Sequence, residues 1–353
     1  MKPLRILHVA NRAEKSLGAR YYAPQYKFNN GFVRNGHNVL WFSDRDIARA
    51  SSIIPSQKLG KNACNDKLIR FAGNFCPEVL VLCHCDLIEN ETVSHIKAKH
   101  GCVVIQYNLD LLYDDSIKKI NRRIGIVDAN FVISAGRFLQ RVSSPESPAR
   151  FIPWPVDSSI EVWKNHLQGS FESDVIFAGT KSSIIKTNSL RNRVADLPAS
   201  IPDSKFTLLD GIYGHAYMQQ LAAAKIGLNF SVAVEEGEDT ATVGSPHYLY
   251  TSDRVTQFMG NGLLTFSTSE FNLSELYGEE AIVEISDYDE LVEKLRFFLT
   301  HEEERKTVAH GGYELAHNEF NEKRVTRYML EAALGLNYSH DYHWPSEVWT
   351  GNR

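Results

Sequence analysis

No hydrophobic run in this sequence approaches the roughly 20 residues needed to cross a bilayer as a helix. No signal-peptide pattern precedes the first apolar segment, LRILHVA, so the expected location is cytoplasmic. The five cysteines, an odd number scattered over 353 residues, make no disulfide framework. An excess of basic charge is missing too. Thirty-eight Lys and Arg against 43 Asp and Glu give a formal net charge of −5, which argues against nucleic-acid binding through general basicity. Asn-x-Ser/Thr triplets at Asn90, Asn229, Asn272 and Asn337 mean little without a secretory route. G-x-S-x-G, H-E-x-x-H and a Walker loop are all absent, so hydrolase, zinc-protease and P-loop readings lack support. The Cys-x-Cys pair in CHCD (83–86) has no second pair at metal-binding spacing and reads as buried, inert thiols.

What is present is a globular composition, 43% hydrophobic and 23% charged, on a chain long enough for two cores. The first half alternates β-branched runs with helical patterns. RILHVA (5–10), NVLWFS (38–43), EVLVLCH (78–84), CVVIQYN (102–108), ANFVIS (129–134) and ARFIPW (149–154) are continuously apolar, as strands buried on both faces must be. YAPQYKFNNGFVRNGHN, between the first two, is an amphipathic helix that stops at Gly36. Strand, helix and strand in succession imply right-handed crossovers and a doubly wound parallel sheet.

The polar segment PVDSSIEVWKNHLQGSFES (155–173) breaks the rhythm and is expected to separate two domains. A second series follows it: SDVIFAGT (173–180), a helix over 187–197, KFTLLDG (205–211), a helix over 214–224 and KIGLNFS (225–231). A short helix opening in YTSDR, then LLTFST (263–268), AIVEIS (281–286) and a helical close complete it. VEEGEDTATVGSP (234–246) reads as a surface loop. The expectation is α/β: two Rossmann-like doubly wound domains, 1–157 and 173–320, facing a central crevice, with 321–353 packing back on the first as a helix and tail. For the aromatic tail, NYSHDYHWPSEVWTGNR, an acceptor or a membrane interface is the alternative contact.

Ligands of open α/β sheets bind at the C-terminal ends of strands, and the residues there are the candidates. Arg254 sits in the first turn of a helix, where the dipole makes a cation unfavourable by roughly 0.3–1 kcal/mol unless a bound anion reverses the sign. A surface pair with Asp253 is the plain alternative. Gly179-Thr180-Lys181 would let backbone N–H groups approach a phosphate, with Lys181 or Lys186 adding charge, although an ordinary βα turn looks the same. Tyr213, beside Gly214, is placed to stack on a nucleotide base or simply to pack its loop. Ser252 and Tyr250 are weaker candidates, Ser252 being equally a helix cap. In the first domain Asn11, Arg12 and Arg20 follow strand one, while His84 and Asp86, then Asn108 and Asp110, follow two others. A general base for a hydroxyl acceptor would come from Asp110, Asp86 or His84; loop capping is the alternative, above all for Asp86.

Taken in order, DVIFAGT, IYGHAYMQQLAAAKIGLNFS, SDRVTQFMGNGLLTFS and the run from LSELYGEEAIVEIS to RYML resemble the nucleotide-binding domain of GT-B glycosyltransferases, in the group-1 and spore-maturation-type branch. The first half agrees more loosely, through ILHVA, GHNV, YNLD and IPWPVD. The resemblance implies a metal-independent transfer of a sugar from a nucleotide-activated donor to a glycan or glycoconjugate, in the synthesis of a cell-surface polysaccharide. It implies that Arg254 and the helix start neutralise the donor diphosphate, with Gly179, Thr180, Lys181, Tyr213, Ser252 and Asp253 around the donor. The acceptor would lie against Asn11, Arg12, Arg20 and Asn108. Three residues after the arginine the family usually has a Glu that contacts the donor ribose. Gln257 stands there and can still accept a hydrogen bond, without the strength of a carboxylate. No cofactor is implied beyond the nucleotide sugar itself, with UDP or GDP favoured. If the enzyme retains anomeric configuration, no dedicated base is needed. A sugar-nucleotide epimerase, or a non-catalytic carbohydrate-binding or assembly protein, is the alternative reading.

Overall fold

The computed structural model describes residues 1–179, 190–230 and 248–350, which form two units, Met1–Pro153 with Glu322–Arg353, and Trp154–Asn321. Each is built on one wholly parallel sheet.

The first unit runs β1 (Arg5–Val9), α1 (Pro24–Arg34), β2 (Asn38–Phe42), α2 (Asp44–Ala50), α3 (Lys61–Phe75), β3 (Val79–Cys83), α4 (Asn90–His100), β4 (Val103–Asn108), α5 (Asp114–Asn121), β5 (Ala129–Val132) and β6 (Ala149–Phe151). Its strand order is β2-β1-β3-β4-β5-β6. In the centre of the sheet Leu7 pairs with Leu40 on one side and Leu80 on the other, and every residue of β3 is buried. That double-sided burial is why the strands are continuous apolar runs in the sequence.

The second unit runs β7 (Ser173–Ala178), α6 (Leu190–Arg193), α7 (Leu197–Ser200), β8 (Phe206–Leu209), α8 (Gly214–Ala222), β9 (Ala224–Asn229), α9 (Asp253–Gly260), β10 (Leu264–Thr268), α10 (Ser274–Tyr277), β11 (Val283–Ile285), α11 (Tyr288–Thr300) and α12 (Glu302–Asn318). The order is β11-β10-β9-β7-β8. The helix expected over 187–197 is broken in its described part: α6 passes into a 3-10 turn at Val194–Asp196, and α7 restarts with Pro198 in its first turn.

α13 (Glu322–Ala333) then returns to the first unit and lies on α1. Contact is close enough that a Cβ on Gly31 would stand 2.2 Å from the Glu322 carbonyl oxygen. Arg34 Nη1 meets Glu322 Oε1 at 2.7 Å, and Asn35 Nδ2 donates to the Lys323 carbonyl at 2.8 Å. Tyr328 on α13 forms an aromatic cluster with Tyr342 and Trp344 beyond the helix, and Trp349 exchanges backbone hydrogen bonds with Ala149 on β6.

The segment 155–172 is not a linker. It belongs to the second unit and is packed into it. Asn165 is fully buried, and its Nδ2 donates to the carbonyls of Leu221 and Ala224 at 2.7 and 2.8 Å. The segment's buried polar residues satisfy backbone groups of the unit, while Ser158, Ser159, Lys164, Ser170 and Glu172 are exposed.

Candidate functional site

In the second unit the C-terminal ends of β7 and β9 and the start of α9 come together around arginine. Ser252 precedes α9 in an extended conformation and makes no side-chain cap. Its hydroxyl instead donates to Asn229 Oδ1 at 2.8 Å and accepts from Arg254 Nε at 3.2 Å. Arg254 Nη1 donates to the Ala178 carbonyl, the last residue of β7, at 2.6 Å. The guanidinium therefore spans two strand ends, and the surface pair with Asp253 does not form. Among the described residues Arg254 has no carboxylate partner.

A second arginine, Arg191 at the start of α6, reaches the same edge. It donates to the Phe230 carbonyl just beyond β9 and lies 5.5 Å over the Phe177 ring. Burial first, and then the neighbouring charge of Arg254, push the Arg191 guanidinium down to about 10. Two cations close enough to disfavour one another mark a place where a bound anion would be stabilised. Gly179 leaves room for them: a Cβ there would stand 2.7 Å from the Phe177 ring and 3.6 Å from Arg191 Nη2. Its own N–H donates to the Leu209 carbonyl at 3.2 Å, at the end of β8. Thr180 and Lys181, with Lys186 and the loop 234–246, lie outside the described residues. Tyr213, next to Gly214 after β8, is 46% exposed. Tyr250 packs edge-on against Phe271.

Gln257 is tied to its neighbours inside the second unit. It is 1% exposed, its Oε1 accepts from Tyr217 Oη at 2.7 Å, and its Nε2 donates to Asp253 Oδ2 at 3.1 Å. The Gln257 carbonyl thus carries one protein donor, as does one oxygen of Asp253, and an amide oxygen can accept a second.

In the first unit, the ends of β3 and β4 bring His84 and Asp110 together, with Nδ1 and Oδ2 3.6 Å apart. The Leu109 N–H points at His84 Nε2 from 3.4 Å, which fits a neutral ring carrying its proton on the side of Asp110. Burial holds the His84 imidazole below its usual range, against the opposing pull of Asp110 and Asp86. The Asp110 side chain is 58% exposed, so it is the solvent-facing member of the pair.

Backbone strain fixes this arrangement. His84 and Cys85 have φ of 56° and 50°, two successive left-handed residues without glycine. Arg123, fully buried, holds the turn: Nη1 donates to His84 O at 3.0 Å, and Nη2 donates to Cys85 O and Ile88 O at 2.6 and 3.0 Å. Arg122 Nη2 adds a bond to Cys85 O at 2.8 Å.

The other first-unit candidates separate from this pair. Asp86 Oδ2 faces Arg45 Nη2 at 3.3 Å. Asn108 is buried, and its Oδ1 accepts from the Asp110 N–H at 2.8 Å, capping the loop. Asn11 Oδ1 likewise accepts from the Ala13 N–H at 3.1 Å, and Arg12 lies 5.2 Å over the Trp41 ring. Arg20 is partly buried at the end of the same loop. Asp44, unmarked in the sequence reading, is buried at the start of α2, and burial pushes its carboxyl up to about 6. Cys83 and Cys85 are free thiols, and the described residues contain no cluster of three or more His, Cys, Asp or Glu able to hold a metal.

Residues 191–331 match a protein family described as glycosyl transferase-like. No curated protein matches the sequence. Solved structures similar to the chain include sucrose-phosphate synthase from Thermosynechococcus elongatus (TM-score 0.63, 12% identity, covering 94% of this chain and 98% of that one). AviGT4, a glycosyltransferase involved in avilamycin A biosynthesis, is similar at TM-score 0.58 and 13% identity, over 94% and 97% of the two chains. HepE from Anabaena, solved in complex with UDP and glucose, is similar at TM-score 0.52 and 10% identity, over 94% and 100%. Likenesses at this identity speak to the fold, and the fold they share is the two-sheet GT-B architecture.

Proposed function

We propose that this chain, which has the fold of GT-B glycosyltransferases and a glycosyl transferase-like domain over residues 191–331, moves a hexosyl group from a nucleoside-diphosphate sugar to a hydroxyl of a glycan or glycoconjugate. The observation that carries the reading is the pair Arg191 and Arg254, held at the ends of β7 and β9 beside the start of α9. A nucleoside diphosphate brings to that edge the negative charge that relieves the crowding of the two guanidiniums. As the bond between the sugar C1 and the phosphate oxygen breaks, charge grows on the diphosphate, and preorganised cations stabilise it without a metal. The new bond forms from the acceptor oxygen to C1. Asp110, oriented by His84, takes the acceptor proton, and the nucleoside diphosphate leaves with the electron pair. UDP is the first nucleotide to try, because HepE was solved with it, and GDP is the second. We assign the activity to synthesis of a cell-surface polysaccharide in the cytoplasm.

The internal commitment of Gln257 supports a second reading, a chain that kept the fold and lost the transfer reaction. An epimerase would use the same donor without an acceptor. The test begins with thermal unfolding against UDP, GDP, ADP, dTDP and CMP. A nucleotide at a hundred times its Kd stabilises the native protein by about 2.7 kcal/mol. One nucleotide standing out, followed by acceptor-dependent release of that diphosphate from its sugar, supports the transferase. Binding without release supports the second reading, turnover without acceptor supports the epimerase, and no shift with any nucleotide refutes the diphosphate site.

A further inference from the structure

The loop joining α2 to α3 is firmly built. The Ser52 hydroxyl donates to the Ile54 carbonyl at 2.8 Å and accepts from the Ser56 N–H at 3.2 Å, while Gly60 N donates to the Ser56 carbonyl at 3.1 Å. Gly60 lies so near α2 that a Cβ would stand 1.8 Å from the Ala48 carbonyl oxygen, which pins the base of the loop to both helices. Yet its tip is apolar and bare: Ile53 is 104% exposed, Ile54 70% and Leu59 67%, with Pro55 exposed between them. Adjacent exposed isoleucines on a pinned, protruding turn contribute nothing to the core and mark a surface for something outside the fold.

Local charge indicates what that is. Residues 44–70 contain six basic side chains, Arg45, Arg49, Lys58, Lys61, Lys67 and Arg70, and three acidic ones, in a chain whose formal net charge is −5. Arg45, Arg49 and Lys61 are paired with Asp86, Asp46 and Glu89 at 3.3, 2.7 and 2.5 Å, and Asp44 is buried, so Lys58, Lys67 and Arg70 stand against the exposed Asp66 alone. Lys67 Nζ donates to Ser51 Oγ at 2.9 Å, at the foot of the loop, and Lys58 lies within it. Neither lysine is in an ion pair among the described residues.

We infer that this loop docks the first unit on an anionic lipid bilayer, with Ile53 and Ile54 entering the headgroup–acyl boundary and Lys58 and Lys67 facing lipid phosphates. The loop's serine hydroxyls bond within it or to its flanking residues, so a partner meets aliphatic side chains and diffuse positive charge. Those are the two features to which an acidic bilayer responds. This docking stands apart from nucleotide binding, which belongs to the other unit.

The test is co-sedimentation of the whole chain with vesicles of phosphatidylcholine alone and with vesicles that also contain phosphatidylglycerol. The anionic vesicles should bind at least about tenfold more protein, and the excess should shrink as salt rises. The Ile53→Ser/Ile54→Ser variant should lose about tenfold in partitioning, and Lys58→Gln/Lys67→Gln should reduce only the anionic component. Each variant should unfold at the wild-type temperature, since the changed side chains face solvent. Wild-type protein that binds neither vesicle, or an isoleucine double variant that binds as wild type does, overturns the inference. Self-association abolished by the same variant, with no vesicle binding, overturns it in favour of a second copy of the chain.

Discussion

Replacing Arg254 with Met tests the diphosphate site while keeping much of the side chain's apolar stem. Nε donates to Ser252 and Nη1 to the Ala178 carbonyl, and among the described residues no bond is made by Nη2. A charge-assisted hydrogen bond contributes about 1.5–3 kcal/mol, and losing it should raise the Kd for the favoured nucleotide by roughly 10- to 150-fold. The free protein should change far less. Removing Arg254 deletes two bonds to neutral acceptors, and it also removes the charge that disfavours Arg191. Arg191→Met should weaken binding in the same range. The double variant should weaken it by less than the product of the two, because both groups act on one anion. Titration calorimetry with UDP and GDP reads all three affinities, and the salt dependence of binding should flatten in each variant. A wild-type Kd in Arg254→Met, for a nucleotide that wild type does bind, refutes the role given to the arginine pair.

Acid should destabilise both units through buried imidazoles. Burial lowers His8 and His166 from 6.5 to about 4, so each stabilises the fold fully above pH 6.5 and loses that contribution as pH falls through 4. The loss is on the order of 3 kcal/mol for His8 and smaller for His166, and His166→Asn should flatten the pH dependence of unfolding of the second unit. Arg123→Gln should cost at least about 3 kcal/mol in denaturant unfolding, because it strands carbonyls of the His84–Ile88 turn without donors. A cost under about 1 kcal/mol would show that the turn holds itself. Asp110→Asn should lower turnover by at least about a hundredfold, and Asp86→Asn by much less, measured as diphosphate release with acceptor present. Equal, full activity in both removes the base assignment.

The eleven strands among the described residues were legible because a buried parallel strand leaves an unbroken apolar signature, and their ends were legible only to within three residues. The meeting of His84 with Asp110 was readable in part, since both follow consecutive strands and must emerge at one edge. Arg191 was not. Within LRNRV it looks like one more solvated helix cation, and only the fold turns it toward Phe177 and Phe230. Arg122 and Arg123 hide in the same way, as a basic pair closing an amphipathic helix. Asn165 shows the reverse error: a polar residue that saturates buried carbonyls has the same letter as one in water, so its segment looked like a linker.

The docking of α13 on α1 sets an order in time. A chain emerging from the ribosome presents its first 153 residues early, but the helix that covers Gly31 and the residue that pairs with Ala149 are made only after the whole of Trp154–Asn321. The second unit is contiguous and can close as soon as it is synthesised, whereas the first must wait with one helix face and the β6 edge unprotected. Folding of this protein is therefore expected to finish where the chain began, and nascent chains ending before Glu322 should be the ones that chaperones hold.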